Sequence, residues 1–136
     1  MARWLFKEEP AHFNFAALQR DGRTVWNGVR NALARQHLRQ VRRGDRVFFY
    51  HTGKEKAIVG EMRVVSDPRT DPNADDPKEV LIEVEAVRSL PHPVSLATIK
   101  NDPLLAGWEL VRLARLSVMP VTQEQWRRVE ELSEQG

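Results

Sequence analysis

Hydrophobic positions along this chain come in short blocks whose spacing switches between two and about 3.6, the periods of a strand and a helix. Ala2 to Lys7 places Trp4 and Phe6 on one face and predicts a strand, which Pro10 ends. Asn14 is positioned to cap a short helix carrying Phe15, Ala16 and Leu18 that stops at Asp21-Gly22. Trp26 to Asn31 reads as a turn, and a helix is predicted from Asn31 to Arg43 with Ala34, Leu38 and Val41 as its apolar stripe. Arg35, Arg39 and Arg42 repeat that spacing on a second stripe, so the helix should present a basic edge. Gly44-Asp45 closes it.

The second half is read in the same way. Arg46 to His51 and Ala57 to Val65 are predicted strands joined by a turn at Thr52-Gly53-Lys54. Asp67 to Lys78, with three prolines and four aspartates, reads as an exposed loop. Glu79 to Arg88 alternates as a strand with Val80, Ile82 and Val84 inward, and Leu90 to Val94 is an extended connector. Ser95 starts a short helix, Asp102-Pro103 starts a turn, and Arg112 to Val118 is the last predicted strand. Thr122 and Gln125 form a capping box for a C-terminal helix carrying Trp126, Val129 and Leu132. Five to six strands with interspersed short helices predict an α+β fold built as a small barrel, rather than a doubly wound sheet. No repeat or low-complexity stretch divides residues 1–136, which read as one domain.

Composition narrows the chemistry. The absence of cysteine excludes disulfides, thiolate metal sites and thiol nucleophiles. No apolar run suits a signal peptide or a membrane span, so a soluble, cytoplasmic protein without membrane contact is expected. Charge is unevenly spread. Eight arginines against two acids lie between Arg20 and Arg46, whereas nine acids against four cations lie between Glu55 and Glu85. That pattern predicts one basic and one acidic face, and an anionic partner for the first. Sixteen arginines to five lysines fits phosphate and base recognition, and fits a GC-rich genome equally well.

Sequence signatures of catalysis are lacking: there is no nucleophile elbow, phosphate loop, dinucleotide fingerprint or zinc-protease helix. His12, His37, His51 and His92 are scattered, so no metal site or cofactor is expected. Glu8 and Glu9 are adjacent, which on a strand sends them to opposite faces and argues against a working carboxylate pair. Trp26 has two readings: a ring anchoring its loop onto the core, or a stacking wall for a planar ligand. Beside it Gly28 permits close backbone approach, and Asn27 and Asn31 offer amides able to pair with a base edge. Tyr50 and His51 end an apolar strand, where a barrel delivers side chains to its mouth, while Phe48 is assigned to the core. Arg115 and Ser117 alternate on the last predicted strand and so share a face. Arg30, Arg35, Arg39 and Arg42 are the candidate contacts to a phosphate backbone.

These motifs fall in the order of a known family. Lys7-Glu8-Glu9-Pro10, Trp26-Asn27-Gly28-Val29-Arg30-Asn31, Gly44 to His51, Leu90-Pro91-His92-Pro93-Val94 and Arg115 to Val121 together resemble the EVE domains, across nearly the whole chain. The resemblance implies a PUA-like β-barrel related to the YTH readers of methylated adenine. It also implies a pocket for a modified base in DNA or RNA, with 5-methylcytosine-type DNA marks the leading candidates. Trp26 would match the aromatic wall, and Tyr50, His51, Asn31, Arg115 and Ser117 lie in matching motifs. Two departures stand out: the family usually carries a small hydroxyl where this chain has Glu8, and the loop from Ser66 to Lys78 is shorter and lacks the family's tyrosines. The expectation is a monomeric, non-catalytic nucleic-acid reader, acting through an effector protein or by occupancy alone. Its rivals are a nucleotide-acting enzyme or accessory using Glu8 and His51 as acid and base, and a sensor of a free nucleotide or small anion.

Overall fold

The computed structural model describes residues 1–136. Seven strands and five helices follow in the order β1 (Arg3–Glu8), α1 (Phe15–Asp21), β2 (Arg23–Trp26), α2 (Ala32–Leu38), β3 (Arg46–His51), β4 (Ala57–Val64), β5 (Arg69–Thr70), β6 (Val80–Ser95), α3 (Leu96–Asn101), α4 (Glu109–Arg112), β7 (Val118–Pro120) and α5 (Gln123–Gln135). The strands form one curled, mixed sheet in the order β2-β6-β4-β3-β1-β7, with β5 adding to β6. Only β1 and β3 run parallel, in the register Phe6↔Phe49, Lys7↔Tyr50 and Glu8↔His51, so both strands end at the same rim. The result is an α+β half-barrel with one strand more than the upper expectation.

Both faces of the β1–β3 pair are buried, because the two strands read as continuous apolar runs rather than alternating ones. On the inner face Phe6 and Phe49 pack around Trp26, with ring centroids 5.3 and 5.5 Å away, and Phe15 of α1 meets Phe49 edge-on at 5.3 Å. Gly60 makes room for that ring: a Cβ there would collide with Phe15. On the outer face Phe48 stacks on Trp126 of α5 at 3.6 Å. The predicted capping box of α5 is present, and its Trp126 and Val129 are buried.

Besides the short strands β2 and β5, which the sequence reading lacks, three elements differ from it. First, α2 ends at Leu38 instead of Arg43. Beyond it the backbone tightens into shorter turns (Gln40 N to His37 O, Val41 N to Leu38 O), while buried Asp45 accepts the Arg42 N–H at 2.9 Å and the Trp4 indole N–H at 2.9 Å. Val41 keeps its predicted core position even so. Second, the strand at Glu79–Arg88 and the connector after it form one continuous β6. Pro91 and Pro93, which cannot donate to a ladder, fall between the pairs Gly60↔Ser89 and Ile58↔Val94, where the register slips. Third, the strand predicted from Arg112 to Val118 is instead the end of α4, a turn closed by Leu116 N to Leu113 O, and a strand starting only at Val118. Leu113 and Leu116 are three apart, a spacing that suits a turn, and Leu116 dips into the core.

The expected separation into basic and acidic faces is also corrected. The sheet brings the two charge blocks together: Arg35 binds Asp76 and Glu79, Arg46 binds Glu61, and Arg23 and Arg63 both reach Glu85. No helix is long and apolar enough to cross a membrane.

Candidate functional site

The parallel ends of β1 and β3 open on two hollows, one on each face. On the inner face a pocket of about 200 Å³ is lined by Glu8, His12, Phe13, Thr24, Trp26 and Asn27, with Val25 at its edge. Of the two sequence readings of Trp26, the structure places it as the core anchor. It is only 5% exposed and locked by Phe6 and Phe49, and its remaining rim forms part of the pocket wall. It ends β2, a strand where the sequence pattern predicts a turn. That strand also brings in Thr24 and Val25, and the segment before α1 brings in His12 and Phe13; no sequence signal singles out these four for a site. The alternation Thr24-Val25-Trp26 could have flagged β2, but three residues are too few to establish a period.

The polar groups of this pocket are held in place. Glu8 Oε1 accepts the Glu9 N–H at 3.0 Å and lies 3.2 Å from His12 Nδ1, while no protein hydrogen bond engages Oε2. Asn27 donates through Nδ2 to Asp71, a buried carboxylate in the 66–78 loop, at 3.1 Å. The loop is itself fastened. Asp76 accepts from Lys78 N and from Arg35, and these contacts hold its carboxyl below the ordinary value. The shortened loop therefore orients Asn27.

Other candidates lie elsewhere. His51 lines neither hollow: it is buried, its Nε2 accepts the Phe15 N–H at 3.0 Å, and its Nδ1 donates to Glu55 at 2.7 Å. Nε2 pins the start of α1 and Nδ1 is tied to the turn before β4, so the acid–base pair with neighbouring Glu8 is not formed. Asn31 and Arg115 do meet, in a depression of about 330 Å³ with Leu33, Leu113, Ala114 and Leu116. The Asn31 side-chain oxygen is used as the N-cap of α2, accepting from Ala34 N at 3.0 Å. Ser117 is half-buried, and its carbonyl accepts the Lys7 N–H at 2.9 Å.

The basic helix edge is committed to acids within the protein at Arg35, while Arg39 and Arg42 stay exposed. Arg35 has a side chain 15% exposed that donates to Val29 O, Asp76 and Glu79, which removes it from the solvent-facing stripe. Arg39 donates to Lys78 O, and Arg42 folds back onto the carbonyls of Arg39 and Val41. Arg30 stays exposed.

On the outer face lies Tyr50, buried beneath the Lys7 ammonium, which is 5.7 Å from the ring centroid. Burial pushes the phenol up to about 12 and pulls the Lys7 ammonium below its ordinary value. Together they line a second hollow of about 260 Å³, so Tyr50 faces away from the Trp26 pocket.

A curled mixed half-barrel with hollows at the ends of its central parallel strands is the PUA-like architecture, and the comparisons agree. The chain belongs to the EVE domain family, which it matches over residues 2–132. Human thymocyte nuclear protein 1 is 31% identical over 98% of this chain and 74% of its own length. Among solved structures, a protein from Rhodopseudomonas palustris aligns with a TM-score of 0.93 and 37% identity, covering 99% of this chain and 94% of that one. Human THYN1 in complex with 5-methylcytosine-containing DNA aligns with a TM-score of 0.89 and 30% identity over 98% of each chain.

Proposed function

We propose that this protein is a non-catalytic reader that takes a modified base of a nucleic acid into the Trp26 pocket, with a 5-methylcytosine-type DNA mark favoured and a modified RNA base second. The observation that carries the reading is the convergence of Trp26, Phe13, Glu8 and Asn27 on one hollow, in a fold shared along its length with a protein crystallised on methylated DNA. Aromatic edges and Val25 give apolar contact to a ring and a methyl group. The carboxylate of Glu8 has one oxygen in reserve, and a carboxylate accepts but cannot donate. It therefore favours an edge with an exocyclic amine, as on cytosine or adenine, over the carbonyl edge of thymine or uracil. It also repels phosphate, so a base rather than the backbone belongs here. Withdrawing a base from a duplex costs a few kcal/mol, which stacking alone, at roughly 1–3 kcal/mol, only partly offsets.

Gel shifts with paired oligonucleotides, modified and unmodified, test this. Trp26→Phe is expected to weaken the preference for the modified base, and Glu8→Gln to let thymine compete with cytosine. Discrimination unchanged in both variants would sink the assignment.

A further inference from the structure

The Trp26 pocket does not suit a phosphate beside Glu8, and Arg35 is held by Asp76 and Glu79. Cations elsewhere along the same rim can meet a backbone phosphate. Eleven arginine–carboxylate pairs form in the molecule, and no carboxylate pairs with a lysine. Three of the five lysines, Lys7, Lys56 and Lys100, line the hollow above Tyr50, and no carboxylate lines it with them. Two carboxylates lie near its rim, Glu55 hydrogen-bonded to His51 and Glu9 to the Thr52 hydroxyl.

Three lysines from β1, the turn before β4, and α3 thus line one hollow without a carboxylate among them, a setting that favours an anion. Lys7 spends one N–H on Ala114 O at 3.0 Å and keeps two for a ligand. Lys56 holds φ at 46°, the one non-glycine residue with positive φ, and the outlier falls at this hollow. The opposite wall is apolar, formed by Leu96, Leu110 and Ala114, and the 260 Å³ space exceeds what a bare phosphate fills.

We infer that this lysine cleft binds the phosphate of a nucleotide unit, with the sugar or base of that unit lying against the apolar wall. Lys7 and Glu8 are consecutive on β1 and point to opposite faces, so cleft and pocket share one rim. A strand passing over that rim places a base on the inner face and a flanking phosphate on the outer one. The polymer source of the phosphate rests on the proposed base-reading function, whereas the anion site itself does not. A free nucleotide would offer the cleft the same chemistry.

Fluorescence anisotropy of the full chain against salt distinguishes these. The probes are a single-stranded oligonucleotide carrying one 5-methylcytosine and its unmodified twin. Lys56 and Lys100 are exposed, so the double variant Lys56→Gln/Lys100→Gln leaves the core untouched. It is expected to weaken both probes alike and to flatten the log–log salt dependence by roughly 0.7 for each phosphate it no longer neutralises. Lys78→Gln, outside the cleft, is expected to change neither. Affinity and salt slope unchanged in the double variant would overturn the cleft. If the slope falls but Trp26→Phe and Glu8→Gln keep full base discrimination, the cleft stands and the pocket assignment fails. NMR titration with inorganic phosphate and with a mononucleotide reads the source at the Gly53 and Ala114 amides. Binding that tightens with oligonucleotide length supports the polymer, and mononucleotide binding as tight as any oligomer's overturns it.

Discussion

The pocket beside Trp26 and the cleft beside Tyr50 are one strand pair apart and are built in opposite ways. The pocket is carved from the core: its aromatic wall is held by Phe6 and Phe49, and its polar groups are already hydrogen-bonded to the chain. The cleft is carried by long, flexible lysines around a single buried phenol. A rigid, acid-edged hollow suits selection by shape and by base edge, whereas mobile cations suit a ligand whose charge is constant and whose identity varies. Specificity and affinity are thereby assigned to different faces of the same two strands.

The largest expected effect breaks the pocket side. Trp26→Ala removes a core ring and should destabilise the fold by about 3–5 kcal/mol, read by urea denaturation. A loss below about 1 kcal/mol would show that the ring is not held by Phe6 and Phe49. Gly60→Ala should cost about 1–3 kcal/mol by forcing Phe15 off Phe49, without touching the lysine cleft. Salt-dependent binding by that variant should fall no more than its folded fraction does.

The smallest effect sharpens the cleft side and comes from pH. Tyr50 is the single tyrosine of the chain, so ultraviolet titration reports it alone, with an expected midpoint of about 12 against an ordinary 10.0. Because burial favours the neutral phenol, the unfolded chain ionises first. Stability should therefore fall as pH rises from about 10 toward 12, and be unaffected by this group below that window. A midpoint near 10 would place Tyr50 in open solvent. Phosphate in the cleft adds negative charge beside the phenol and should move the midpoint upward.

Three of the seven residues that line the pocket are legible in the sequence. Trp26, Asn27 and Glu8 stand out by residue type and by family resemblance, and they converge. The cleft is not legible, because Lys7, Lys56 and Lys100 are far apart in sequence and carry no motif. Tyr50 stands out too, but on the opposite face from the one its motif suggests. Only the alternation along β3 separates it from Phe49, and in a strand buried on both sides no polar residue marks which face is which. His51 has the look of a site residue because a ring at a strand end is chemically versatile; one nitrogen holds the start of α1 and the other binds Glu55 instead.

By itself the sequence determined the elements with strong local signals: the capped ends of α1, α3 and α5, the apolar stripe of α2, and the strands β1, β3 and β4. Caps and periodic apolar faces act within a turn or two of chain, so they survive without knowledge of the rest. Tertiary structure alone decided how the charges are spent. Within the stripe that suggested a phosphate-binding edge, Arg35 is neutralised by Asp76 and Glu79, far from it in sequence, while Arg39 and Arg42 meet only backbone carbonyls. The lysines, a minority in composition, form no ion pair, and three of the five line one cleft. Ion pairing depends on distance in space rather than in sequence, and only the folded sheet sets those distances.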